Sequence, residues 1–196
     1  MTAALPPYTQ AMTSKSIQCG LLNLAMLLCL AGPCVAQEEA HAIQFGQFPV
    51  KIYEGPVRTP KDLHKDSDGV WHDALNKLVE PPGVNFAGEY YLAAHSCGTG
   101  CRYYQLTNLR TGSEIGQVSM FDTGDPPPRT RDGHTYGSIL FFKPDSKLLI
   151  VQYEIDPLTT KEKSQCRQRY FVLDGGRVRA ISKAFTSCTR EGGESE

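Results

Sequence analysis

The sequence predicts an α+β domain in which N-terminal helices pack on a twisted antiparallel sheet of about six to eight strands. Three observations lead there. The apolar residues Val70, Trp71, Ala74, Leu75, Leu78 and Val79 recur at intervals of three and four, the spacing of one face of an amphipathic helix. From Asn85 onward the apolar period drops to two, and short turns rich in glycine, asparagine and aspartate punctuate it. The strand rhythm then occurs twice. Each time a strand leads to Cys-Arg (Cys101-Arg102, Cys166-Arg167), then to an aromatic strand, a turn and a further strand. One such unit is like a β-propeller blade, and two blades cannot close a ring, so an open sheet built from two blade-like units is expected.

The elements follow in order. Residues 1–36 read as a start region and a cleaved secretory signal. Lys15 is the one charge before Glu38, residues 21–31 are apolar except for Asn23, and Cys34-Val35-Ala36 offers small side chains before a cut after Ala36. The segment ahead of Met12 carries no positive charge, so Met1 and Met12 are both candidate starts. A membrane anchor needs about 20 apolar residues, and this run is interrupted by Gly32-Pro33 well before that. Leu30-Ala31-Gly32 resembles the lead-in to a lipidated cysteine, but Pro33 separates it from Cys34. The remaining residues, 37–196, form a single mature domain outside the cytoplasm, periplasmic or secreted.

Within that domain, residues 48–53 alternate like a strand until Gly55-Pro56. Thr59-Pro60-Lys61-Asp62 has the form of a helix start, with Thr59 as cap and Pro60 in the first turn. The amphipathic stretch 70–79 is the second predicted helix, ended by Pro81-Pro82-Gly83. Strands are predicted over 89–96, 102–108 and 113–120. A proline-rich loop over 122–135 follows, then strands over 138–142, 148–153, 168–173 and 177–182.

Composition excludes several functions. The mature balance is 19 basic against 21 acidic residues, because Lys15 is the one charge lost with the signal. That leaves no cationic surplus for phosphate backbones or anionic membranes, so no nucleic acid, and no membrane span in the mature chain, is expected. Of seven cysteines, three leave with the signal and four remain: Cys97, Cys101, Cys166 and Cys188. Four allow three connectivities, and locality favours Cys97 with Cys101 and Cys166 with Cys188. In the chain-entropy picture the short loop adds about 2 kcal/mol and the long one about 3.5 kcal/mol.

Chemistry-bearing constellations are sparse. In Cys97-Gly98-Thr99-Gly100-Cys101 the glycines permit positive φ, and His95 lies two residues from Cys97 on one strand face. Thiol chemistry with His95 as base is the functional interpretation; a disulfide pinning a tight loop is the structural one. Phe121-Asp122-Thr123-Gly124 matches the triplet of aspartic proteases, whose chemistry needs two such carboxylates, and a single triplet occurs. No histidine pair has zinc spacing, and Asp66-Ser67-Asp68-Gly69 lacks calcium ligands at the first and last positions, His64 and Leu75. No metal or cofactor is predicted. Tyr90, Tyr91, Tyr103, Tyr104, Tyr136 and Tyr153, with Arg102, Arg129 and Arg131, suit a protein interface.

Asn85-Phe86-Ala87-Gly88-Glu89-Tyr90, followed by the CGTGC loop and by matching segments at 142–151 and 170–178, resembles the signature of a family of small exported bacterial proteins without an established activity. The resemblance covers about residues 47–183 and implies the compartment more than the function. Relatives often carry a cysteine where this chain has Gln152 and Tyr153, so the resemblance implies that Cys188 replaces it as partner of Cys166. The function expected is that of a non-enzymatic exported binding protein, of inhibitor or immunity type. It would meet another protein through Gly98, Thr99, Gly100, Arg102 and Tyr103. The alternative is a small periplasmic enzyme using His95 with Cys97 or with Asp122.

Overall fold

Leu148-Leu149-Ile150-Val151 is a run of four fully buried residues, and a strand so uniformly apolar must be covered on both faces. The computed structural model, which describes residues 43–189, shows how. Its strands are β1 (His64–Lys65), β2 (Trp71–His72), β3 (Tyr90–Gly98), β4 (Cys101–Asn108), β5 (Tyr136–Phe142), β6 (Leu148–Ile155), β7 (Gln165–Asp174) and β8 (Arg177–Ala180). The run lies on β6, inside an antiparallel sheet of order β5-β6-β7-β8. Leu149 and Val151 point to a core shared with Phe171, Leu173, Phe121 and Leu106. Leu148 and Ile150 point the other way, against Phe45, Tyr170 and Val172.

The expected α+β architecture is not what forms. The described residues are mostly β, with no helix of seven residues or longer. Helical geometry is confined to two short 3-10 turns, Phe45–Gln47 and Gly116–Phe121. Nor do the strands join into one sheet; they divide into β1-β2, β3-β4 and the four-stranded β5-β8 sheet. Only the second of the two repeated units forms a four-stranded blade-like sheet. In the first, the segment expected as a strand over 113–120 becomes the 3-10 helix Gly116–Phe121. Its buried residues, Val118 and Phe121, are three apart, the period of that helix.

The predicted helices fail for a definable reason. Asp66 Oδ1 accepts the N–H groups of Asp68 and Val70 (3.0 and 2.9 Å), and Asp73 Oδ1 accepts those of Leu75 and Lys77 (2.9 and 2.8 Å). An aspartate offered local backbone donors favours a turn over a helix. Each turn closes on a residue with positive φ, Gly69 at 80° and Asn76 at 58°. The result is a small meander in which Asp66 N–H donates to Val70 O and Asp73 N–H to Lys77 O. Leu75 and Leu78, read as a buried helix face, are 51% and 74% exposed. Around Thr59-Pro60 the chain makes only a turn, closed by Leu63 N–H to Pro60 O.

The two larger sheets enclose the main core, into which the β3-β4 hairpin sends Leu92, Tyr104 and Leu106. Its opposite face carries Tyr91 and Ala93 against Leu63, Trp71 and Val79 of the meander region. Phe86 fills the core and Asn85 caps the edge of β3, while Ala87 and Gly88 turn with positive φ of 47° and 81°. A Cβ on Gly88 would stand 2.5 Å from the Lys51 carbonyl oxygen, so only glycine fits that turn. The Asn85–Gly88 motif is therefore architectural.

The favoured disulfide pairing is the one present. Cys97–Cys101 and Cys166–Cys188 join Cα atoms 5.1 and 5.6 Å apart. The described residues contain no helix long and apolar enough to cross a membrane. The proposed signal, its cut after Ala36, Met12 and Cys34 all lie outside the described residues.

Candidate functional site

Alternation along β3 sorts the predicted site residues onto two faces. Tyr91, Ala93 and His95 face the meander; Leu92, Ala94 and Ser96 face the opposite way. His95 is consequently interior, with its side chain 1% exposed, and its Nδ1 lies 3.1 Å from Asp73 Oδ2. Its register partner Tyr103 stacks on it at 4.7 Å and 16°. Burial acts to raise the Asp73 pKa, but the Lys77 N–H, His95 and the Leu75 N–H outweigh it and hold the carboxyl below its usual value. Tyr103 is pushed up, first by burial and then by the charges of Asp73, Asp62 and Asp122.

This arrangement orients His95 without offering it to a substrate. Nε2 is buried and has no partner among the described residues. Asp73 is the residue that sequence reasoning missed. Its signal was present in duplicate: Asp66 and Asp73, seven apart, each cap a turn with one oxygen and hold a histidine with the other, His72 at 2.9 Å in the first case.

Cys97 is consumed by its disulfide, so the His95–Cys97 constellation holds no thiol. Asp122 follows the second 3-10 helix and accepts the Tyr104 N–H at 2.7 Å. Its carboxyl is raised by burial, with that hydrogen bond acting against the rise. No hydrogen bond joins Asp122 to His95. The structure therefore does not bring His95, Cys97 and Asp122 together as a reactive set.

The hairpin tip is different. Gly98, Thr99 and Gly100 are exposed, with Gly98 and Gly100 at φ of 138° and 73°, and the disulfide closes the turn beneath them. The tip borders a cleft of about 350 Å³ whose walls include Ser96, Arg102, Thr123, Ser138 and Glu154. Thr123 is fixed there by paired backbone bonds to Arg102 (2.8 and 2.7 Å). Arg102 and Glu154 both line this cleft, and neither makes an ion pair among the described residues. Tyr103, expected with the tip, instead belongs to the His95 network.

No group of His, Cys, Asp and Glu that could hold a metal ion occurs among the described residues. The fold and site together define a disulfide-stapled, mostly β domain with an exposed, pinned hairpin beside a polar cleft. No family model, curated protein or solved structure matches the chain.

Proposed function

We propose that this chain is an exported, non-enzymatic binding protein, of inhibitor or immunity type, that engages another protein through the tip Gly98-Thr99-Gly100 and the adjoining Arg102. The observation that carries this reading is the disulfide-pinned tip beside a cleft lined by Arg102, which makes no ion pair among the described residues. A loop held in one conformation loses little entropy on binding. Arginine is a favoured interface anchor. Two disulfides suit an oxidising compartment, and the resemblance to small exported bacterial proteins supports the same location. The enzyme alternative has less support: its thiol is in a disulfide, and Asp122 and His95 are each engaged elsewhere.

The test is covalent capture from periplasmic extract with a photocrosslinker placed at Thr99. Wild-type protein is expected to yield one predominant adduct that Arg102→Glu, a charge reversal on the cleft wall beside the tip, removes. Absence of any specific adduct would end the binding reading. Iodoacetamide labelling of the native protein before reduction would revive the thiol reading.

A further inference from the structure

The two larger sheets are linked on one side and unlinked on the other. Beside β4, Ile115 N–H donates to Leu106 O, and Gln117 Oε1 accepts the Val178 N–H of β8 at 2.7 Å. The segment 114–121 thus ties the outer edge of β4 to the outer edge of β8. No ladder or bridge between the remaining edges, β3 and β5, occurs among the described residues. Two clefts of about 350 Å³ lie along that seam instead. Ala94 and Phe142 line one; Ser96 and Gly98 line the other with Gly137, Ser138 and Ile139. The pairing of high with low numbers shows that β3 and β5 pass in opposite directions.

The backbone groups facing the seam can be traced. Leu92 has its N–H and C=O satisfied by Asn85 Oδ1 and Nδ2, at 2.8 and 3.0 Å. The Asn85 amide thus imitates one residue of a neighbouring strand. On β5, Tyr104 Oη donates to the Ser138 carbonyl at 2.8 Å. Edge-facing residues alternate along a strand, so Ala94 and Ser96 of β3 and Leu140 of β5 present their N–H and C=O to the same seam. None of these has a described partner. The Ser138 hydroxyl is also buried without a partner, at a residue lining the second cleft. Such groups are what an added strand satisfies.

We infer that the seam receives an extended segment of the partner protein, added as a strand along β3 and reaching β5. The inference rests on the binding reading above and names its ligand chemistry. An apolar side chain of the segment enters the cleft between Leu78 and Phe142. An acidic side chain meets Arg102 two to four positions away, because Ala94 and Ser96–Gly98 are that far apart on β3. Glu154 in the same cleft disfavours a second acid there. A small free anion would satisfy Arg102 but leave the strand edges unpaired.

Random octapeptides displayed on phage are selected on the disulfide-intact protein, and the enriched peptide is synthesised. Its affinity is read by fluorescence anisotropy and its footprint by amide hydrogen exchange. The expected peptide carries an acid and an apolar residue at the stated spacing and slows the Ala94, Ser96 and Leu140 amides by about tenfold or more. Arg102→Glu and Gly137→Val are each expected to weaken it by about tenfold. A Cβ on Gly137, a residue of the cleft wall, meets no atom within 4 Å, so the added side chain starts into open space. Unchanged melting temperatures of both variants control for folding. No enriched peptide, or one that binds without slowing those amides, overturns strand addition. If the Thr99 crosslink still captures a partner in that case, the insertion fails alone; if capture also fails, the binding reading fails with it.

Discussion

The β5-β8 sheet and the β3-β4 hairpin are both buried on two faces, but different interactions hold them. Leu148, Leu149, Ile150 and Val151 pack into apolar clusters on both faces, so this central strand is stabilised chiefly by area removed from water. The hairpin has one such face; its other face combines Tyr91 and Ala93 with the buried His95, and the end of β4 carries the buried Thr107 and Asn108. There, stability depends on particular partners: Asp73 for His95, Glu89 for Asn108, Asp62 for Gln105. Apolar contacts are interchangeable and degrade gradually. A buried polar group that loses its partner has no substitute.

The two modes separate under mutation and acid. Leu149→Ala is expected to have the largest effect, about 4 kcal/mol in urea unfolding, with a loss that stays constant as pH is lowered. Asp73→Ala should cost about 3 kcal/mol at neutral pH, because it strips His95 of its partner and leaves two turn amides unbonded. Its effect, unlike that of Leu149→Ala, should fade in acid. The folded pKa of Asp73 lies below the unfolded value of 3.8, so the unfolded chain takes up the proton more readily. Its stabilisation is fully present above 3.8 and is lost as pH falls through the depressed folded value. An Asp73→Ala deficit that persists undiminished in acid would show that the carboxylate's charge is unimportant. The smallest effect is expected from Asn85→Ala, about 1–2 kcal/mol. It should be accompanied by faster exchange of the Leu92 amide, since the Asn85 side chain is its partner. Unchanged exchange would mean that the edge of β3 needs no cap.

The same contrast explains what the sequence revealed. Strands β5 to β8 are legible because their apolar period and glycine turns, such as Asp174-Gly175-Gly176, are local signals. The pairing of the four cysteines was legible for the same reason. The meander was not: Asp66 and Asp73 organise their turns through side-chain oxygens, and the spacing of Val70, Leu75 and Leu78 imitates a helix face. In the candidate site, the exposed tip and Arg102 could be read from the CGTGC loop. Thr123, Ser138 and Glu154 could not, since they reach the cleft from segments distant in sequence.

Sequence alone determined the local features: which residues form the main strands, where the tip turns, and which cysteine pairing locality favours. Tertiary structure decided that His95 faces inward to Asp73, that the strands divide into three sheets, and that β3 and β5 leave a seam between them. The physical reason is range. Periodicity and turn chemistry act over a few residues, whereas a buried His–Asp hydrogen bond and an unjoined sheet edge are defined only once distant segments have packed.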